Sequence, residues 1–531
     1  MYEELLAKCQ AWSDSEEYDK IVELLTAFPG YEDVPELCSE LGRAYNNLGA
    51  VNGHDTPEAL EYFRKALSVL LPHEAALQHD HRWNYRVGFA YYYLDRPHRA
   101  TQYFDQALDA LPGDQDTKDF IEHSEHLSLL PAKPFKERVA AMWKAFEARE
   151  GELLAAIESL NHETSQDCMA KLHEVFRIAL KEPIFELRAE LMGGKPEVIF
   201  PLTRMEATAL RLYYIERAMP AALAERWTIR FGRQPIKNER FTFQGYSIQD
   251  FRVSIAWERN QTMRINKCLL TFYHEELGQK WLEDESSHGE TLWVLYNLLS
   301  FAVGDATMNY YVASIKVEPH ASDDVATYAF ADLADVMAKE YDATPKTLKE
   351  TVERTLRYEM DVVEGFYRWD VFEGETAAHE LIWGWYQHDF SEFDDLADDG
   401  AVAGMLLVKV DETSDKDSAR LKAALMRDLL ATKIMEKVGS DAVQIVGRAL
   451  GDKYAYLDVV GWDNRALLEA ADEAGNEIGL KYLLYRCFRP NLSGYVIIDE
   501  DGVEEGGERN PEAFPEDDGG SITIVTPGGK A

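Results

Sequence analysis

Cationic residues are scarce in this chain. Among 531 residues there are 55 Lys and Arg against 95 Asp and Glu, a formal net charge of −40. A surface that acidic repels phosphate backbones and anionic lipid, which argues against nucleic acid and against a membrane surface as partners. Cysteine is scarcer still. The five thiols, Cys9, Cys38, Cys168, Cys268 and Cys487, lie far apart with no CxxC pair. Neither a disulfide framework nor a zinc ribbon can be drawn from them. No apolar run approaches the length of a bilayer span, and the opening MYEELLAKCQ has acidic residues where a secretory leader needs an apolar stretch. The expectation is a cytoplasmic protein. Signature motifs are missing too: there is no P-loop, no GxGxxG, no GxSxG elbow and no HxE…PCxxC pattern, so no cofactor is expected.

What is abundant is apolar and aromatic surface, at 46% and 11% of residues, enough for packed cores in a multidomain chain. The most ordered stretch is Asn84–Pro112, NYRVGFAYYYLDRPHRATQYFDQALDALP. Gly88, Ala100, Phe104, Ala107 and Pro112 are spaced for two antiparallel helices in close contact. Gly88 and Ala100 let the backbones approach, Phe104 fills the gap, and Pro112 ends the second helix. Leu41, Gly42, Tyr45, Ala59, Phe63, Ala66 and Pro72 repeat the pattern, with a longer turn expected at VNGHDTPE. Ile21, Leu25 and Phe28 form a degenerate earlier copy, with Ser15 as a cap.

These residues, with Val87 and Tyr91 at the first-helix positions, resemble the tetratricopeptide repeat (TPR) family over about a quarter of the chain. The resemblance implies a concave face lined by the first helix of each repeat. Matching positions are Arg82, Tyr85, Arg86, Phe89, Tyr92 and Tyr93 in one repeat, and Ser39, Glu40, Arg43, Asn46 and Asn47 in the other. Relatives that capture a peptide carboxylate use lysines and asparagines at set positions, and here Ser39 and Tyr85 stand where such lysines would be. What remains is an aromatic stripe edged by Arg43, Arg82 and Arg86, suited to a segment with apolar anchors. The alternative is that Tyr91–Tyr93 pack internally. The expected binding residues are Arg43, Asn46, Arg82, Tyr85, Arg86, Phe89 and Tyr92.

Beyond the repeats, Val139, Met142, Trp143, Phe146, Leu153 and Ile157 make one amphipathic stripe. A further helix is expected from about Ser165 to Leu180. From Ile184 the period becomes alternating, and the order hairpin, helix, strand occurs three times. The first copy pairs IFELRAEL with EVIFPL and continues to a helix opened by a Thr203/Glu206 capping box. The second pairs FRVSIAW with MRINKCLLTF, then has a helix near 290–303 and a strand MNYYVASIKV. The third pairs AVQIVGRAL with YAYLDVV and continues to a helix capped by Asp463. With GMLLVKVD and the helix Lys416–Val438 before it, the last unit has ferredoxin-like β-α-β-β-α-β order.

The expected fold is therefore multidomain: an N-terminal all-α TPR-like helical repeat (1–130), an α+β domain preceded by capping helices (131–345), a helical connector with a ferredoxin-like α+β domain (346–495), and an acidic flexible tail (496–531). Residues 181–320 are expected to make one larger sheet from two units, and 325–395 to be mostly helical. A short SITIV strand is expected in the tail.

Other constellations have plainer readings. His123 and His126 sit on an exposed helix face without a third ligand. His379-Glu380 opens like a zincin motif, but Trp383 replaces the second histidine. His274, Glu275, Glu276, Asp284, Glu285 and His288 fall in one loop, where carboxylates and imidazoles could hold a cation or simply face water. Tyr367, Trp369, Phe372, Trp383, Trp385, Tyr386 and Phe390 read as core or seam rather than a stacking site. Cys168 reads as a packed thiol. No metal is expected. The functional expectation is a scaffold that binds another protein or peptide, with the α+β part as a second surface. A neutralising, immunity-type partner of a basic protein is one alternative. The other is an enzyme with a cleft between the α+β domains, marked by converging polar groups and shifted pKa values.

Overall fold

The computed structural model describes residues 2–158, 162–188, 195–236, 242–260, 265–363 and 367–499. It is multidomain, with a helical N-terminal region followed by sheet-containing regions.

Helices Tyr2–Asp14, Tyr18–Thr26, Pro35–Val51, Pro57–Leu70, His81–Tyr93, Pro97–Ala110 and Gln115–Leu129 stack as successive antiparallel neighbours. Small residues set the spacing. A Cβ at Gly88 would lie 2.8 Å from the Phe104 ring, so the glycine permits that ring to seat. In the preceding pair the counterpart of Gly88 is Gly49, where a Cβ would meet Phe63 at 2.7 Å, while Gly42 faces Leu70. The register differs because the Pro35–Val51 helix has 17 residues against 13 in His81–Tyr93. The turn at VNGHDTPE runs over residues 52–56, longer than the 94–96 turn of the later pair, and the longer helix before it supplies the rest of the extra spacing. Ser15 does not cap its helix either: its hydroxyl donates to Ala11 O at 3.1 Å, and the helix begins at Tyr18 behind Glu17.

The C-terminal sheet has seven strands in the order Leu356–Glu359, Val371–Thr376, Val443–Gly451, Tyr454–Gly461, Val402–Lys409, Tyr482–Cys487, Tyr495–Asp499. Every neighbouring pair is antiparallel. The β-α-β-β-α-β order of residues 402–487 is present, with helices Lys416–Ala442 and Asn464–Glu477 packed side by side and Asp463 accepting from Ala466 N at 3.2 Å as cap. Tyr454–Gly461 is the central strand with Val402–Lys409 beside it, and both are buried almost throughout, as strands covered on both faces must be.

Three expectations need correction. Residues 325–395 are not mostly helical, since Leu356–Glu359 and Val371–Thr376 extend the seven-stranded sheet. Alternating burial, with Leu356 and Tyr358 buried and Arg357 and Glu359 exposed in the first, marks such short strands more than composition does. Residues 181–320 do not share one sheet: Glu186–Arg188, Glu197–Phe200 and Thr228–Phe231 form one, and Arg252–Asn260, Ile265–Tyr273, Val312–Glu318 and Tyr328–Ala329 another. Residues 495–499 pair with Tyr482–Cys487 and so belong to the sheet rather than the tail, while SITIV lies outside the described residues. The cores also cross the boundary drawn at 345. Residues of 135–231 share one apolar core with residues of 348–498, whereas 248–343 encloses its own. All six stripe residues from Val139 to Ile157 are buried in the first of these.

Candidate binding groove and the charged seam

The groove is built by the helices Pro35–Val51 and His81–Tyr93, with Gln10 of the first helix at its rim. Arg43, Asn46, Arg82, Tyr85, Arg86 and Phe89 line one cavity of about 390 Å³ together with Gln10, Asn47 and His81. Two of the three arginines are held by the groove's own walls. Arg86 is 7% exposed, donates to Ser39 Oγ at 2.6 Å and pairs with Glu40 at 2.9 Å. Arg43 also reaches Glu40 and donates to Gln10 Oε1 at 3.1 Å. Arg82 is exposed and has no ion-pair partner among the described residues.

Asn46 donates through Nδ2 to Arg86 O at 2.8 Å, and its buried Oδ1 accepts from no described residue. An unpaired buried acceptor is costly, so one that lines a cavity favours a ligand N–H. Tyr85 and Phe89 are half-buried. Each leans on Phe120, at 5.8 and 5.7 Å between ring centroids, and shows its remaining surface to the groove. Burial pushes the Tyr85 hydroxyl up to about 12, helped by Asp116 and Asp114, so it stays a neutral donor. Tyr92 does not line the cavity. It packs edge-on against Tyr93 and Phe120 at 5.2 and 5.1 Å, while Tyr93 stacks on His54 and Phe63. The internal-packing alternative therefore holds for Tyr92 and Tyr93.

A second concentration of charge sits where the helical region meets the rest. The short helix Ser391–Asp398 presents acids in every direction. Arg99 faces Asp394 and Asp398 at 3.4 and 3.3 Å, Arg96 faces Asp398 at 3.4 Å, and His98 faces Asp398 at 3.1 Å. Arg489 takes Asp394 and reaches Gln102 at 2.7 Å. Arg211 closes on Asp395 and Asp399, and Lys181 N donates to Asp399 at 2.7 Å. A cavity of about 310 Å³ opens here, but its cations are paired within the fold: Arg96 with Glu182 and Asp398, Arg99 with Asp394 and Asp398, Arg211 with Asp395 and Asp399, and Lys181 with Asp95. Burial alone would raise Asp398, yet the His98 imidazole 3.1 Å away and the charges of Arg99 and Arg96 hold it below the carboxylate range.

Beside this seam, two helix starts are tied by borrowed carboxylates. The Thr203/Glu206 capping box does not form. The helix begins at Glu206, and Glu392 instead accepts from Glu206 N and Ala207 N at 3.2 and 2.6 Å. Glu206 in turn accepts from Glu380 N at 2.9 Å and pairs with His379. Burial lowers the His379 imidazole, but hydrogen bonds and charge from Glu206 and Glu380 outweigh it and carry it up to about 9. Burial pushes Glu392 up to about 8, against the pull of the Ala207 N–H. The sequence could show SEFDDLADD as an acidic helix; only the fold shows that it is buried among arginines.

The other constellations serve packing and capping. His274 Nδ1 accepts from Leu277 N at 3.3 Å and caps Glu275–Glu283, and His288 stacks on Trp281. His123 and His126 are exposed. Trp385 and Tyr386 are buried in the main core, and burial raises the Cys168 thiol. Among the described residues no group of three or more His, Cys, Asp or Glu is placed to hold a metal ion, and no helix is long and apolar enough to cross a membrane. Comparisons with family models, curated proteins and solved structures give no match.

Proposed function

We propose that the chain is a protein-binding scaffold whose N-terminal array, TPR-like in its small-residue spacing, takes a peptide segment of a partner protein. The observation that carries this reading is the convergence of Arg43, Asn46, Arg82, Tyr85, Arg86 and Phe89 on one cavity, with neither the Arg82 guanidinium nor Asn46 Oδ1 given a partner among the described residues. Asn46 would accept a backbone N–H, Tyr85 and Phe89 would take an apolar side chain, and Arg82 would pair with an acidic group beside it. Local positive charge within a strongly acidic chain confines such a segment to the groove. The sheet region, ferredoxin-like in its element order, supplies the second surface. The enzyme reading has less support, since the charges of the seam are matched among themselves rather than left for a substrate.

A peptide array spanning acidic, neutral and basic sequences around one apolar residue, probed with the full chain, tests this. Acidic–apolar peptides should bind, and the exposed-site variant R82E should lose them. Equal binding by wild type and R82E would end the proposal.

A further inference from the structure

The helix Lys416–Ala442 covers the seven-stranded sheet with small residues inward. Ala419, Ala423, Leu430, Ala431 and Ile434 are buried, and the helix contacts the strands Val443–Gly451, Tyr454–Gly461 and Val402–Lys409. Its outer face carries Leu421, Leu425 and Leu429, which are 62%, 61% and 43% exposed. Steps of four residues advance only about 40° around a helix, so the three form one stripe pointing away from the sheet. Exposed single apolar residues are ordinary. Among the described residues, the other large exposed ones, such as Val51, Leu111, Leu282 and Trp293, form no such run.

The charges beside the stripe say what could cover it. Lys422 and Lys433 lie on one flank, roughly 60–80° from its centre, and Asp417 and Asp428 lie a similar angle to the other side. Each lysine follows an aspartate by five residues, about 7.5 Å along the axis. Two such helices side by side in the same direction set the lysine flank of each against the aspartate flank of the other. Antiparallel, lysine would face lysine and aspartate would face aspartate. The stripe is thus self-complementary in one orientation only, the device that fixes pairing in coiled coils. The present partners are mostly exposed ion pairs of small worth, Lys422–Asp411, Lys433–Glu436, Asp417–Arg420 and Asp428–Arg448, while Asp428 also accepts from the buried Arg427 at 2.9 Å.

We infer that Leu421, Leu425 and Leu429 are the dimerisation face for a second copy of this chain, docked with the two Lys416–Ala442 helices parallel. The area is small beside a permanent interface, so the dimer is reversible, in the micromolar range. The net charge opposes it, and added salt should tighten rather than loosen the pair.

Sedimentation equilibrium of the full chain in moderate and high salt should give a mass rising toward twice that of the monomer. L425K should raise Kd at least tenfold with an unchanged melting temperature, because the side chain is exposed. K422D/K433D should do the same, and adding D417K/D428K should restore the dimer. Ser418 lies on the stripe, so S418C should form an intermolecular disulfide in a parallel pair. A monomer at every concentration, a dimer indifferent to L425K, or one that S418C fails to cross-link would overturn the inference.

Discussion

The groove and the seam use the same side chains to opposite ends. Both gather arginines and aromatic rings, and both enclose a cavity of a few hundred Å³. In the seam the acids of Ser391–Asp398 meet arginines from the helical array, from the helix Glu206–Arg217 and from the C-terminal region. In the groove Glu40 satisfies Arg86 and Arg43, while Arg82 is left to solvent. The number of charges is therefore a poor guide to a site. What separates an interface already made from one still open is whether the charges balance within the fold.

That contrast breaks most sharply at Arg211. Its guanidinium is 9% exposed between Asp395 and Asp399, the latter 2% exposed. R211A strands a buried carboxylate and should cost about 3–5 kcal/mol, seen by thermal or denaturant unfolding. The next effect belongs to Gly88. G88A drives a methyl into Phe104, itself fully buried and stacked on Phe120 at 5.0 Å, and overpacking of this kind costs about 1–3 kcal/mol. The loss should show in hydrogen exchange of the helical array before that of the seven-stranded sheet.

The seam also carries a pH signature that the groove lacks. Glu392 is raised in the fold to about 8 and His379 to about 9, from ordinary values of 4.5 and 6.5. The folded chain thus holds protons that the unfolded chain has released. The Glu392 contribution is complete below about 4.5 and is lost as pH rises through 8, and that of His379 is complete below 6.5 and lost through 9. E392Q keeps an acceptor for Ala207 N but cannot ionise. Its melting temperature should gain on wild type steadily between pH 5 and 8, and a constant gap would remove Glu392 from the account. The smallest effect on the fold is that of R82A, within about 0.5 kcal/mol by thermal unfolding, since Arg82 is exposed and no described residue pairs with it.

Much of the array was legible in sequence because its contacts are local. Gly88 and Phe104 are sixteen positions apart on neighbouring helices, and small-residue spacing reports that directly. The Val139–Ile157 stripe and the Asp463 cap were readable for the same reason. The capping box at Thr203 was not, because Glu392 arrives from far along the chain and takes the backbone donors that Thr203 was expected to satisfy. Tyr92 belongs to the groove by its helix, yet Phe120 of Gln115–Leu129, two helices on, packs against its ring. Six of the seven expected groove residues converge on one cavity, and one of the three arginines there, Arg82, is unpaired among the described residues. Periodicity names a face; only packing says which members of it remain open.

Titration calorimetry of the full chain with an acidic–apolar peptide chosen from the array, run in parallel on wild type and R82E, bears most directly on the open groove. The account predicts binding to wild type, at least tenfold weaker binding to R82E, and the same melting temperature for both free proteins. Binding that survives R82E unchanged would contradict it.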